Sequence, residues 1–328
     1  FKQKTAYEIS LGLVGSEMCI RDRDRIQETI FKTPLLPSMR YGSKLMFKAE
    51  NFQETGSFKI RGALSKLTAL AKEKNLDEVK FITASSGNHG IACSKASSIL
   101  GASLTVVLPK TVAKIKLERI KSFGVQVLIE GDESGQAELY AQKLSKEKGY
   151  FYISPYNDLD VIAGQGTIGL ELLAQMKNQS IDNLFISIGG GGLISGISAV
   201  IKAHSPSTKI WGVSAINSCT LADSIKAGKM ISTDHFETLA DGCAGGVDED
   251  TVTLPITQQT IDELIWCEEN EIEKCFRDMA FEEHQIVEGS AALALAGFKQ
   301  VEKRVGKQNS IVLLCGANID IDLSLIHI

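Results

Sequence analysis

From Lys44 onward, short apolar runs alternate with longer stretches of helical periodicity, and this alternation restricts the fold more than any other feature. Phe81–Ala84 reads as a strand and Gly87–Leu100 as a helix. Leu104–Leu108 is an apolar run closed by Pro109, and Ala113–Phe123 is a helix with Gly124 as its stop. Further strands are expected at Val125–Ile129, Phe151–Ile153, Leu184–Ile188, Lys209–Val213 and Ile311–Cys315, with helices at Gln136–Lys148 and Leu193–Ala203. Such spacing implies parallel sheets covered by helices, an α/β fold. Near-continuous apolar strands such as Leu104–Leu108 belong in sheets buried on both faces. A chain of 328 residues, 44% of them hydrophobic, is long enough for more than one folding unit. No linker marks a boundary.

Charge and cysteine usage exclude several classes. The net charge is -5 and no basic block occurs, so the chain lacks the electrostatic footprint of a nucleic-acid binder. Its seven cysteines form no CxxC pair, which argues against a zinc ribbon or a thioredoxin-type site. Scattered cysteines in odd number fit a reducing compartment, and no apolar stretch is long enough for a membrane span. A cytoplasmic location is expected. The first residues, 1–23, and the last, Leu323–Ile328, resemble adaptor-derived translations. Both are expected to be non-native and are set aside from the fold reading.

Four motifs sit where this architecture exposes chemistry. Thr55-Gly56-Ser57-Phe58-Lys59-Ile60-Arg61-Gly62-Ala63 places Lys59 in a turn entering a helix. A desolvated lysine can act as a neutral amine, as Schiff-base chemistry requires, although most lysines are solvated surface groups. Ser85-Ser86-Gly87-Asn88-His89-Gly90 follows a strand and opens a helix, whose N-terminus suits an anion such as a carboxylate. The same residues also make an ordinary N-cap, and His89 alone reads as structural. Gly189, Gly190, Gly191 and Gly192 join a strand to a helix and let the backbone wrap a phosphate. Cys315 ends the last strand, where parallel sheets bind ligands, but alone it reads as a small buried hydrophobe. Gly164-Gln165-Gly166-Thr167-Ile168-Gly169 matches GxGxxG, yet it lacks the strand before it and the acidic residue about 20 positions on. Nicotinamide binding is not expected.

Together the strings GSFKIRGA (Gly56–Ala63), SSGNHG (Ser85–Gly90), AGQGTIG (Ala163–Gly169), Gly189–Gly192, LADG (Leu239–Gly242) and NID (Asn318–Asp320) resemble the fold-type II pyridoxal-phosphate enzymes. Within these, the chain is similar to the threonine/serine dehydratase and serine racemase group from about Asp24 to Asp322. The resemblance implies a tryptophan-synthase-beta-like fold of two open twisted α/β domains with the cofactor in the cleft between them. A large domain is expected at 24–80 and 159–322, with a smaller one at 81–158 inserted into it. Pyridoxal 5'-phosphate is the implied cofactor, carried as a Schiff base on Lys59. Phe58 would lie beside its ring, Asn88 on its phenolic oxygen and Gly189–Gly192 around its phosphate. Cys315 falls against the pyridine nitrogen, where the family has serine or in some dehydratases cysteine, and Glu288 near the ring. Ser85, Ser86, Asn88 and His89 match the loop that grips the substrate carboxylate.

A neutral thiol at the pyridine nitrogen does not hold it protonated, so the ring is a weaker electron sink, which favours prompt loss of a β-substituent. The implied reaction is removal of the Cα proton by Lys59 and loss of water from a small hydroxy amino acid. The products are a 2-oxo acid (2-oxobutanoate or pyruvate) and ammonia. Serine racemases oppose the lysine with a second base, and Ser86 occupies that place. Other racemase features are missing: a carboxylate-gripping arginine aligns near Gly135, an acidic metal ligand near Ser214, and a nucleotide-contacting lysine near Glu54. No metal is therefore expected. Dehydratase is favoured over serine racemase or hydroxyaspartate dehydratase. The strings at Ile286–Ala291 and Asn318–Asp322 look like the branch that includes ectoine-utilisation dehydratases. The family implies a homodimer or homotetramer. L-threonine, L-serine and hydroxyaspartate stay unranked.

Overall fold

The structure, a computed structural model, describes residues 16–177 and 179–319. Residues 1–15, Asp320, Asp322 and Leu323–Ile328, which the sequence reading touched, lie outside the described residues. The strands in chain order are Leu35–Ser38 (β1), Gly42–Ala49 (β2), Lys80–Ala84 (β3), Ser103–Leu108 (β4), Gln126–Ile129 (β5), Phe151–Tyr152 (β6), Asn183–Ser187 (β7), Lys209–Ala215 (β8), Glu263–Cys267 (β9) and Ser310–Leu314 (β10). They form a six-stranded sheet of order β1-β2-β10-β7-β8-β9 and a four-stranded sheet of order β5-β4-β3-β6. Among the strands of the described residues, only β1 and β2 pair antiparallel. All other pairings are parallel, as the strand–helix alternation requires.

Helices Ser16–Ile26 (α1), Lys59–Ala71 (α2), Asn88–Leu100 (α3), Lys114–Lys121 (α4), Ser134–Lys148 (α5) and Leu159–Met176 (α6) cover these sheets. Gly192–His204 (α7), Thr220–Ala227 (α8), Thr253–Thr260 (α9), Glu269–Phe281 (α10) and Gly289–Val305 (α11) complete the cover. Strands β7 and β10 are buried at every position, the signature of a sheet enclosed on both faces. The larger apolar cluster runs from Phe47 and Leu184 to Trp211 and Leu295 around the six-stranded sheet. A second joins Phe81, Leu104 and Val106 of the four-stranded sheet to Ile60, Leu64 and Leu67 of α2. Helix α2 thus shares an apolar cluster with the small sheet. Residues 16–23, set aside in the sequence reading, lie in α1, with Cys19 and Asp22 buried.

The GxGxxG string lies wholly inside α6, where it serves close packing. A Cβ built on Gly164 would meet the Arg61 carbonyl oxygen at 2.6 Å, and one on Gly166 would meet Gly196 O at 3.0 Å. The missing side chains let α2 and α7 approach the α6 backbone. This helix was passed over in the sequence because its glycines interrupt the apolar pattern.

Arg61, fully buried near the start of α2, ties that helix to its neighbours. Its Nε and Nη2 donate to the Glu50 carboxylate, each at 2.8 Å, and Nη1 donates to Glu171 Oε1 of α6 at 2.7 Å. Glu171 also accepts from the buried Lys48 of β2 at 2.6 Å. A buried cation needs this degree of pairing to be tolerated. Replacing Gly164 by alanine should lower unfolding stability by about 1–3 kcal/mol through overpacking. A urea unfolding midpoint equal to that of the parent would show that α2 and α6 do not need this approach.

Candidate active site

A cleft of about 1050 Å³ opens at the carboxyl ends of both sheets. Its wall is formed by the segments after β3, β6, β7 and β10, the place where parallel sheets bind ligands. Lys59 starts α2 on this wall. The turn before it is stitched to the end of β10: Phe58 N donates to Cys315 O at 3.1 Å, and Ala317 N to Gly56 O at 2.8 Å. Gly56 makes this turn with φ +75. Lys59 Nζ donates to the Pro155 carbonyl at 2.8 Å, and burial lowers the ammonium pKa below its ordinary value. Phe58 is buried beside it.

Gly189–Gly192 runs from β7 to the N-terminus of α7. Gly191 has φ +86, and a Cβ on Gly190 would lie 2.4 Å from the Tyr156 ring. The loop is therefore backed by side chains and presents backbone to the cleft. The first N–H groups of a helix have no partner within it and favour an anion.

Ser85, Ser86 and Gly87 link β3 to α3, and all three line the cleft. Gly87 N donates to Ser85 Oγ at 3.2 Å. His89 also borders the cleft, but its ring lies 3.0 Å from the Ile153 carbonyl oxygen, with Nε2 toward it. Burial pulls its pKa down to about 3, so the ring is neutral where it faces this carbonyl. Asn88 Nδ2 donates to both oxygens of Glu288, at 3.0 and 2.9 Å. Glu288 is buried, with the Cys315 thiol 3.6 Å from its Oε1. Burial raises the Glu288 pKa to about 7 and pushes the Cys315 thiol well above its ordinary range, leaving a neutral sulfur at the end of β10.

Phe58, Lys59, Ser85, Ser86, Asn88, His89, Gly189–Gly192, Glu288 and Cys315 thus border one cleft. Gly135 also lies on its wall, whereas Ser214 is buried within β8 and Glu54 pairs with Lys95 at 2.6 Å. No cluster of His, Cys, Asp or Glu among the described residues is arranged to hold a metal. The sequence reading missed Pro155, Tyr156 and Arg119, which share the wall. Ser154-Pro155-Tyr156-Asn157 follows β6, so the rule applied to the other strand ends would have found the first two.

The family model described as "Pyridoxal-phosphate dependent enzyme" matches residues 26–316. The chain belongs to this family. Among its relatives is the catabolic L-threonine dehydratase TdcB of Staphylococcus aureus (strain USA300), 34% identical over 326 residues, covering 97% of this chain and 91% of the relative. The solved processed form of threonine deaminase isoform 2 from Solanum lycopersicum is 30% identical with a TM-score of 0.86, covering 96% of this chain and 94% of that one. Maize serine racemase is 29% identical with a TM-score of 0.86, covering 95% and 96%. The residues present fit the cofactor of this pyridoxal-phosphate enzyme. A buried amine, a glycine loop at a helix N-terminus and a neutral thiol at a strand end border the same cleft.

Glu288 gives a signed pH prediction. Its folded pKa lies above the ordinary carboxylate value, so between about 4.5 and 7 the folded protein holds a proton that the unfolded chain releases. Stability is lost as pH rises through that window. In cofactor-free protein the unfolding midpoint of Glu288→Gln, relative to the parent, should move in the variant's favour from pH about 5 to 8. A difference that stays constant with pH would show that Glu288 has no raised pKa.

Proposed function

We propose that this chain is a dehydratase for small hydroxy amino acids, converting threonine or serine to a 2-oxo acid and ammonia. The observation that carries this reading is a buried amine of lowered pKa, Lys59, sharing one cleft with two helix N-termini. One is the Gly189–Gly192 loop, the seat for the cofactor phosphate. The other is Ser85–His89, the seat for the substrate carboxylate through its backbone N–H groups and serine hydroxyls. Two anion seats beside one amine suit a phosphorylated cofactor and an amino acid bound together.

When bound, pyridoxal phosphate supplies an electron sink conjugated to the substrate's Cα. Lys59 Nζ would hold the cofactor, and as a free amine it would take the Cα proton as general base, a task that its lowered pKa favours. Cys315 Sγ stays a neutral neighbour of the pyridine nitrogen. Phe58 and Glu288 would lie beside the bound ring, and the Asn88 amide would supply a donor for its phenolic oxygen. Loss of water from the β-carbon leaves an enamine that hydrolyses to the 2-oxo acid and ammonia. The dehydratase and deaminase names of the relatives support the same reaction.

In this reading the chain divides into a large domain of residues 24–80 and 159–322 and a small one of residues 81–158, and described residues of both border the cleft. Seven cysteines, none joined in a disulfide, support a reducing cytoplasmic setting. Among the described residues no helix is long and apolar enough to cross a membrane. The chain works as a homodimer or homotetramer on a free amino acid.

Racemisation is the second reading, because Ser86 lines the cleft with Lys59 and serine racemases share the fold at similar identity. A panel of L-threonine, L-serine and hydroxyaspartate, read for 2-oxo acid and ammonia, tests both readings. L-Threonine should yield 2-oxobutanoate, and Lys59→Ala should lower turnover at least about 10³-fold. D-Serine forming without pyruvate would favour the racemase, and near-parental turnover by Lys59→Ala would overturn the assignment of the lysine.

A further inference from the structure

A file of hydrogen bonds runs from the protein surface to the buried carboxyl at the bottom of the cleft. It starts at Arg119, exposed in the last turn of α4. Arg119 Nη1 donates to Asn318 Oδ1 at 2.7 Å, and Nη2 to the Thr55 carbonyl at 3.4 Å. Asn318 Nδ2 donates to Thr55 O at 2.8 Å and to Asn88 Oδ1 at 2.6 Å. Asn88 Nδ2 in turn donates to the Glu288 carboxylate.

The file has one direction. A guanidinium carries donors only, and this fixes the direction from the Arg119 end; Glu288, once ionised, only accepts at the other. Between these ends each amide has a single workable orientation. Asn318 must offer its oxygen to Arg119, which leaves its NH₂ for Thr55 O and for Asn88. Asn88 must then accept on Oδ1, which turns its NH₂ into the cleft. Flipping Asn88 alone would set NH₂ against NH₂ at Asn318 and oxygen against oxygen at Glu288.

We propose that Arg119 is a positioning residue that acts through Asn318 to hold the Asn88 amide with its NH₂ toward the cofactor. The proposal rests on the reading of Asn88 as a cofactor contact. The file also joins the two halves of the molecule. Arg119 and Asn88 lie on helices after β4 and β3 of the four-stranded sheet. Thr55, Asn318 and Glu288 gather around the end of β10. Asn88 is therefore oriented only when the two sides meet across the cleft. A donor held toward an anionic oxygen stabilises its charged form, so the file also sets the protonation of the group it faces.

The test is a double-mutant cycle on the pyridoxal-phosphate-loaded enzyme. Its readouts are cofactor affinity, from titration of the visible absorbance, and the pH dependence of that absorbance. Arg119→Ala should weaken cofactor binding about fivefold, the size of one net hydrogen bond, and shift the absorbance titration to higher pH. Arg119→Lys, which restores a donor, should recover at least half of the loss. Arg119→Ala placed on Asn88→Ala should add nothing further. Arg119→Met keeps the apolar stem on the helix and replaces the alanine variant should that one fold poorly.

Three outcomes overturn the proposal, and they differ in what else they remove. Affinity within roughly twofold of the parent for Arg119→Ala, with a clear loss for Asn88→Ala, removes the relay and leaves Asn88 in place. Losses that multiply in the double variant show Arg119 acting independently of Asn88. No loss for Asn88→Ala itself removes the reading of Asn88 on which the relay stands.

Discussion

The position of Lys59 depends on an ion network that begins two residues further along the same helix. Arg61 is fully buried, and its guanidinium is divided between Glu50 and Glu171, with Lys48 sharing the second carboxylate. Removing one member would leave an uncompensated buried charge, which in such networks costs about 3–5 kcal/mol. The network joins β2, α2 and α6, so the start of α2 has little freedom. The lysine therefore reaches the cleft from a fixed helix end. A catalytic amine needs that fixity, because its chemistry depends on where the nitrogen stands as much as on its pKa.

Around this anchor the site is assembled from the ends of elements. Parallel strands deliver all their carboxyl ends to one side of a sheet, and the helices that follow present their N-termini there. The molecule uses this twice, after β3 and after β7, and sets a neutral sulfur at the end of β10. Burial does the remaining tuning. It lowers the Lys59 ammonium, keeps His89 neutral, and lifts Glu288 into the physiological range. The three shifts share their largest cause, the loss of water around the charged form.

Much of the fold was legible. The strands and helices assigned between Lys80 and Ala215 lie within about two residues of their sequence assignments, because apolar runs bounded by glycine and proline are local signals. The β1–β2 hairpin and α6 were passed over for different reasons. Strand β2 carries Lys48, a charge that is buried only through partners far away in sequence. Helix α6 carries glycines whose purpose appears only where α2 and α7 cross it. The site was legible in the same way. Lys59, the Ser85–Gly90 and Gly189–Gly192 loops and Cys315 each follow or open a local element. Arg119 sits on an exposed helix turn with no local signal at all.

The sequence by itself determined the alternating α/β architecture, the family strings and the residue types that border the cleft. Those depend on periodicity and on neighbours a few positions apart. The tertiary structure alone decided that His89 turns to the Ile153 carbonyl, that Asn88 meets Glu288, and that Arg119 closes the file through Asn318. Residues 88 and 288, or 119 and 318, meet only after two sheets have folded and faced each other. Hydrogen-bond direction and burial then follow from three-dimensional contact, which no local pattern encodes.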